Sequence, residues 1–153
     1  MTDVWFYHLV GTRLEAVLPS LLEKSLERGW KAVVQAASEP RLRGLDDALW
    51  THADDSFLPH AADAEGDAAG QSVLLTLGQG NANGAQVRFF VEGADPLAAL
   101  GVSQAYERCI VLFDGDDPTE LATARTQWSA LKGAGHAVTY WQQTPSGRWE
   151  KKA

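Results

Sequence analysis

"ERCIVLFDGDDPTELATARTQWSALKGAGHAVTYWQ", residues 107–142, decides the fold class. ERCIVLF (107–113) has the apolar, β-branched content of a central strand. Asp117, Pro118 and Glu120 then supply an N-cap, a first-turn proline and an acid at the third helical position. A helix is therefore predicted over 117–133, with Gly133 as its C′ residue. HAVTYWQ (136–142) reads as a further strand, so the segment runs strand, helix, strand.

The same alternation extends toward the N-terminus. DVWFYHLV (3–10) is a strand by its aromatic and β-branched residues. Leu14, Val17, Leu18, Leu21, Leu22 and Leu26 then recur at helical spacing over 12–29. Thr12 and Glu15 have capping-box spacing and Gly29 can end the helix, whereas Pro19 removes a backbone donor and predicts a kink or a later start. WKAVVQAA (30–37) suits a strand buried on both faces. A short helix follows over 38–51, with Ser38 as N-cap and Pro40 in its first turn. Residues 51–70 read as a loop. SVLLTLG (72–78) and AQVRFFVEG (85–93) are strands joined by QGNAN, which reads as a hairpin, and PLAALG (96–101) as a short helix. A polar tail ending in Lys151 and Lys152 follows residue 142. The fold class expected is α/β: one layered domain over 1–153, a mainly parallel central sheet with an antiparallel hairpin, and helices on both faces.

Composition narrows the function. With 153 residues, 45% hydrophobic and 22% charged, the chain can bury a core and has ordinary globular character. No apolar run approaches the roughly 18–20 residues of a membrane span, and MTDVWFYHLVG lacks the basic and small-residue features of a signal peptide. The single cysteine, Cys109, sits in an apolar strand and reads as a buried, reduced thiol of a cytoplasmic protein. A net charge of −7 leaves little basic surface for gripping nucleic acid, so a few cations clustered against that background would stand out.

Several stretches imitate chemical motifs but have plainer readings. GQGNANG (78–84) has loop glycines, but a strand follows it, and a dinucleotide loop needs a helix N-terminus there. DGDD (114–117) lacks the later glycine and bidentate Glu of a calcium loop. His52 and His60 flank Asp54 and Asp55 at no zinc spacing, and Asp46 and Asp47, adjacent on a helix, point to different faces. No metal and no cofactor is expected. A small nucleotide-binding α/β enzyme is the alternative from another class, but neither VGTRL nor FDGDDP supplies a phosphate loop.

The helix over 117–133 carries a different signal. At 100° per residue, Leu121, Arg125, Trp128 and Lys132 fall within roughly 60° of arc, with Ala124 and Leu131 to one side, toward the core. An indole between two cations suits a pocket for an acidic, apolar-tipped peptide, the guanidinium meeting a terminal carboxylate. The same residues also suit a Trp at the edge of the core with two snorkelling cations.

FYHL on the first strand, LDDALWTHADDSFLPH (45–60) and ARTQWSALKGAGHAVTYW (124–141) together resemble the chi subunit of bacterial DNA polymerase III, in order and over nearly the whole chain. The resemblance implies a Rossmann-like fold without nucleotide chemistry and a non-catalytic accessory subunit of the clamp-loader complex. It implies two partners: the psi subunit, and the acidic C-terminal tail of single-stranded DNA-binding protein, which ends in Phe and a carboxylate. DNA association is then indirect, through the complex. The tail site would fall on Arg125, Trp128 (where Tyr is familiar) and Lys132, while Leu121 and Ser129 stand where the family often has Lys. The psi-facing surface would use Trp50, Phe57 and Pro59, as aromatic anchors beside a proline-stiffened loop. Trp50 and Phe57 could instead pack inward against the sheet edge.

Overall fold

A computed structural model describes residues 3–11, 14–50, 60–62, 73–78, 84–102, 106–144, 146 and 148–152. In chain order the elements are β1 (Asp3–Leu9), α1 (Leu14–Glu27), β2 (Ala32–Gln35), α2 (Glu39–Trp50), β3 (His60–Ala62), β4 (Val73–Thr76), β5 (Val87–Val91) and α3 (Pro96–Val102). They continue with β6 (Arg108–Asp114), α4 (Pro118–Gly133), β7 (Ala137–Gln143) and β8 (Trp149–Lys151). Among the described residues the strands form one eight-stranded sheet, ordered β3-β4-β2-β5-β6-β1-β7-β8. Every pairing is parallel except β7 with β8.

Period-two alternation divides the core into two layers. Tyr7 and Leu9 of β1, Phe89 of β5 and Ile110 and Leu112 of β6 pack with Leu18 and Leu22 of α1 and Leu42 and Leu45 of α2. Val4 and Phe6, Phe90, and Val111 and Phe113 point the other way, to Ala99 and Leu100 of α3 and Ala124 and Leu131 of α4. Helices therefore cover both faces, as the apolar central strands require.

The expected hairpin lies elsewhere. β4 and β5 do not pair; each lies parallel to β2, one on either side of it. All four residues of β4 and all five of β5 are buried. Flanking β2 gives β5 a ladder on both edges, to β2 and β6, which outweighs the local convenience of a tight turn. The antiparallel pair is formed instead by the polar tail, where Gln143 faces Trp149. Trp149 anchors it by stacking on Tyr7 with ring centroids 4.6 Å apart. β3, within the expected loop, adds a short edge strand.

Helix ends follow local chemistry closely. Asp117 caps α4, its carboxylate accepting from the Thr119 N–H (2.9 Å) and the Glu120 N–H (3.3 Å). The C-terminal glycine is Gly135 and not Gly133: Gly135 takes φ +90°, and the His136 N–H reaches back to the Leu131 carbonyl at 3.1 Å. α1 starts where its apolar spacing begins and continues through buried Pro19. The fully buried Leu18 and Leu22 hold this stretch against the sheet despite the backbone bond that the proline cannot make. Gly29, at φ +81°, ends it. Thr12, the proposed partner of Glu15, lies outside the described residues.

Arg88 on β5 is fully buried. Its Nε donates to Gln35 Oε1 at 3.2 Å, Nη1 to the Tyr106 hydroxyl at 3.0 Å, and Nη2 to Gln35 and the Gly78 carbonyl. Cys109 is also buried, which pushes its thiol up to about 12, with Arg88 opposing the shift; it is a packing residue at neutral pH. Arg88→Met leaves buried acceptors without a donor, and a loss of about 3 kcal/mol is expected in urea unfolding. Asp117→Ala, which removes only a cap, is expected to cost about 1 kcal/mol in the same assay.

Candidate peptide-binding site

The α4 stripe opens onto a cleft of about 480 Å³ walled by Phe113, Leu121, Ala124, Arg125, Trp128, Ser129 and Tyr140, a size usual for ligand pockets. Its floor is aromatic. Trp128 meets Phe6 edge-on at 5.4 Å and Tyr140 at 5.8 Å, and Phe113 lies 6.0 Å from Tyr140. The half-buried Trp128 indole packs against the core and also lines the cleft.

The two cations differ. Arg125 is exposed and lines the cleft. Lys132 does not line it; its ammonium stands 5.8 Å from the Trp128 ring centroid, beside the indole. Ser129 and Leu121, where lysines are familiar in the family that the sequence resembles, both line the cleft, so Arg125 is the one cation among its described lining residues.

Nothing in the sequence brings Phe113, Tyr140 and their neighbour His8 together as one site. They come from β6, β7 and β1, which adjoin only in the folded sheet. His8 Nδ1 shares a hydrogen bond with the Tyr140 hydroxyl. Burial holds the imidazole below its usual range; Asp116 and Asp114 oppose this and Arg125 adds to it. Burial likewise raises the Tyr140 hydroxyl, with Arg125 opposing. Gly115 packs so closely on His8 that a Cβ there would lie within the ring. The acids of the DGDD stretch are engaged locally: Asp116 accepts from the Gly11 N–H at 3.0 Å, and Asp114 from the Asp116 N–H at 2.9 Å.

Of the residues assigned to a second surface, Trp50 closes α2 with its side chain outside the description, and Phe57 and Pro59 lie outside the described residues altogether. The backbone places α2 beside β3, the edge strand at the side of the sheet farthest from β7 and β8. A nucleotide site finds less support. In open α/β sheets, ligands bind where connections leave neighbouring strands toward opposite faces. Here there are two such points: between β2 and β5, where Arg41 pairs with Glu92, and between β6 and β1, where Asp116 accepts from the Gly11 N–H. Gly84, at the end of the glycine-rich stretch, leads into strand β5 and not into a helix.

The folded pKa of His8 lies below its ordinary 6.5, so the unfolded chain takes up the proton first. Its contribution to stability is full above about pH 6.5 and is lost as pH falls through the lower folded value. Urea midpoints are expected to drop between about pH 7.5 and about pH 5.5, and His8→Gln to flatten the drop.

Comparison with known proteins points to one family. The probable DNA polymerase III subunit chi of Rickettsia prowazekii (strain Madrid E) is 26% identical over 156 residues, spanning 100% of this chain and 93% of the relative. The family model described as "DNA polymerase III chi subunit, HolC" matches residues 1–139. The chain belongs to the DNA polymerase III chi subunit family.

Proposed function

We propose that this chi-family protein is a non-catalytic adaptor of the clamp-loader complex of the DNA polymerase III holoenzyme. It links the psi subunit to the acidic C-terminal tail of single-stranded DNA-binding protein, in the cytoplasm. The observation that carries this reading is the α4 cleft, with one guanidinium beside a floor of three aromatic residues. A terminal carboxylate pairs with Arg125 while the terminal phenyl packs against Trp128 and Tyr140. Ser129 offers a hydroxyl in place of a second cation, and Lys132 contributes at longer range.

Trp50, the last residue of α2, is assigned to the psi subunit together with Phe57 and Pro59; α2 packs beside β3. Five strand intervals separate β3 from β1, under the α4 cleft, which at ordinary interstrand spacing is about 24 Å. Both partners then bind at once, and linkage raises the effective concentration of the second contact. The complex reaches template chiefly through the protein that coats it, and an acidic adaptor suits that arrangement.

Titration with an acidic peptide ending in Phe, followed by tryptophan fluorescence, tests the tail site. Saturable binding that weakens with salt is expected, with about a tenfold or greater loss in Arg125→Ala and a smaller loss in Lys132→Ala. Unchanged affinity in Arg125→Ala overturns the assignment.

A further inference from the structure

The opposite face of the sheet holds a second recess, of about 190 Å³, in which Trp5, Trp30 and Trp149 converge with Lys24, Arg28 and Arg108. No Asp or Glu is among its described lining residues, although the chain as a whole carries a charge of −7. The cations lie on the rings: the Arg108 guanidinium is 3.8 Å from the Trp5 centroid and 5.5 Å from that of Trp30, and Arg28 is 5.1 Å from Trp30. Burial, and then the neighbouring Arg28, lowers the Arg108 pKa, with Tyr7 and Asp3 opposing. Two like charges held this close are relieved by an anion.

Helix electrostatics explain part of the cluster and no more. Lys24 and Arg28 sit at the C-terminal end of α1, where cations complement the last carbonyls. That does not account for Arg108, which comes from the first position of β6, or for indoles arriving from β1, the turn before β2 and β8. Indole planes alternating with cations are the makings of a single-strand nucleic-acid site: rings stack on bases, and cations follow phosphates. The volume admits one base and falls below the roughly 300–1,000 Å³ of larger ligand pockets.

We propose that this recess is a stacking site for one base of single-stranded DNA, with Lys24, Arg28 and Arg108 meeting the adjacent phosphates. A peptide tail fits it less well, since its single terminal aromatic side chain engages one indole of the three. The recess lies on the α1 and α2 face, and the α4 cleft lies on the other. The two sites are therefore independent, and this proposal stands whether or not the α4 cleft takes a peptide. It adds a direct contact with the strand to the indirect one.

The test is anisotropy of a labelled oligothymidylate of about ten nucleotides with the full chain at low salt. Saturable binding is expected, with log K falling against log salt at a slope of about −2, as three neutralised phosphates predict. Arg28 is exposed, so Arg28→Glu tests the site without disturbing the core; a tenfold or greater loss is expected. Trp30→Ala is expected to lose binding as well, and Arg125→Ala to leave it unchanged. No saturable binding at low salt, equal binding by Arg28→Glu, or displacement of the oligonucleotide by the acidic peptide overturns the proposal.

Discussion

A guanidinium sealed inside a parallel sheet holds the middle of this molecule together. Arg88 reaches from β5 to the end of β2, to the residues following β4 and to the tyrosine leading into β6. Four successive parts of the sheet thus share one set of donors. A buried charge is tolerated only where its hydrogen bonds are met, so the arrangement of β4, β2 and β5 is selected as much by Arg88 as by apolar burial. A β4–β5 hairpin would put those acceptors elsewhere.

With the sheet fixed, its two faces acquire different surfaces from one alternating pattern. On β1, Trp5 and Tyr7 look toward α1, while Phe6 and His8 look toward α4. Neighbouring residues therefore serve recesses on opposite sides of a single sheet. Each recess has aromatic walls, but their charge differs. Among the described lining residues, Arg125 is the one cation of the α4 cleft, whereas three cations crowd the other. For an acidic protein, both are local reversals of the overall field, and such reversals guide anionic partners to particular places.

Much of this was legible in the sequence wherever the determining interactions are local. The Asp117 cap, the spacing of Arg125 and Trp128, and the strand character of VLLT and VRFFV each depend on a few neighbouring residues. Strand adjacency does not. Whether β4 lies beside β5 or across β2 depends on which buried backbone edges are paired, and on a side chain, Arg88, whose partners lie far along the chain. β8 leaves little trace in the sequence because WEK is short and becomes a strand only by pairing with β7 and stacking Trp149 on Tyr7. Likewise the cleft's helix wall was visible in a heptad-scale pattern. Its strand walls, Phe113 and Tyr140, could be assigned only once β6, β1 and β7 were known to adjoin.

The position of β1 also governs how the chain can assemble. Its two neighbours, β6 and β7, are both more than a hundred residues downstream. An emerging polypeptide therefore carries VWFYHL without a sheet partner until most of the domain has been synthesised. Such high contact order slows folding and prolongs the exposure of an apolar strand. During translation, protection of that strand falls to chaperones or to transient collapse with α1, and a ribosome stalled before β6 releases an aggregation-prone fragment.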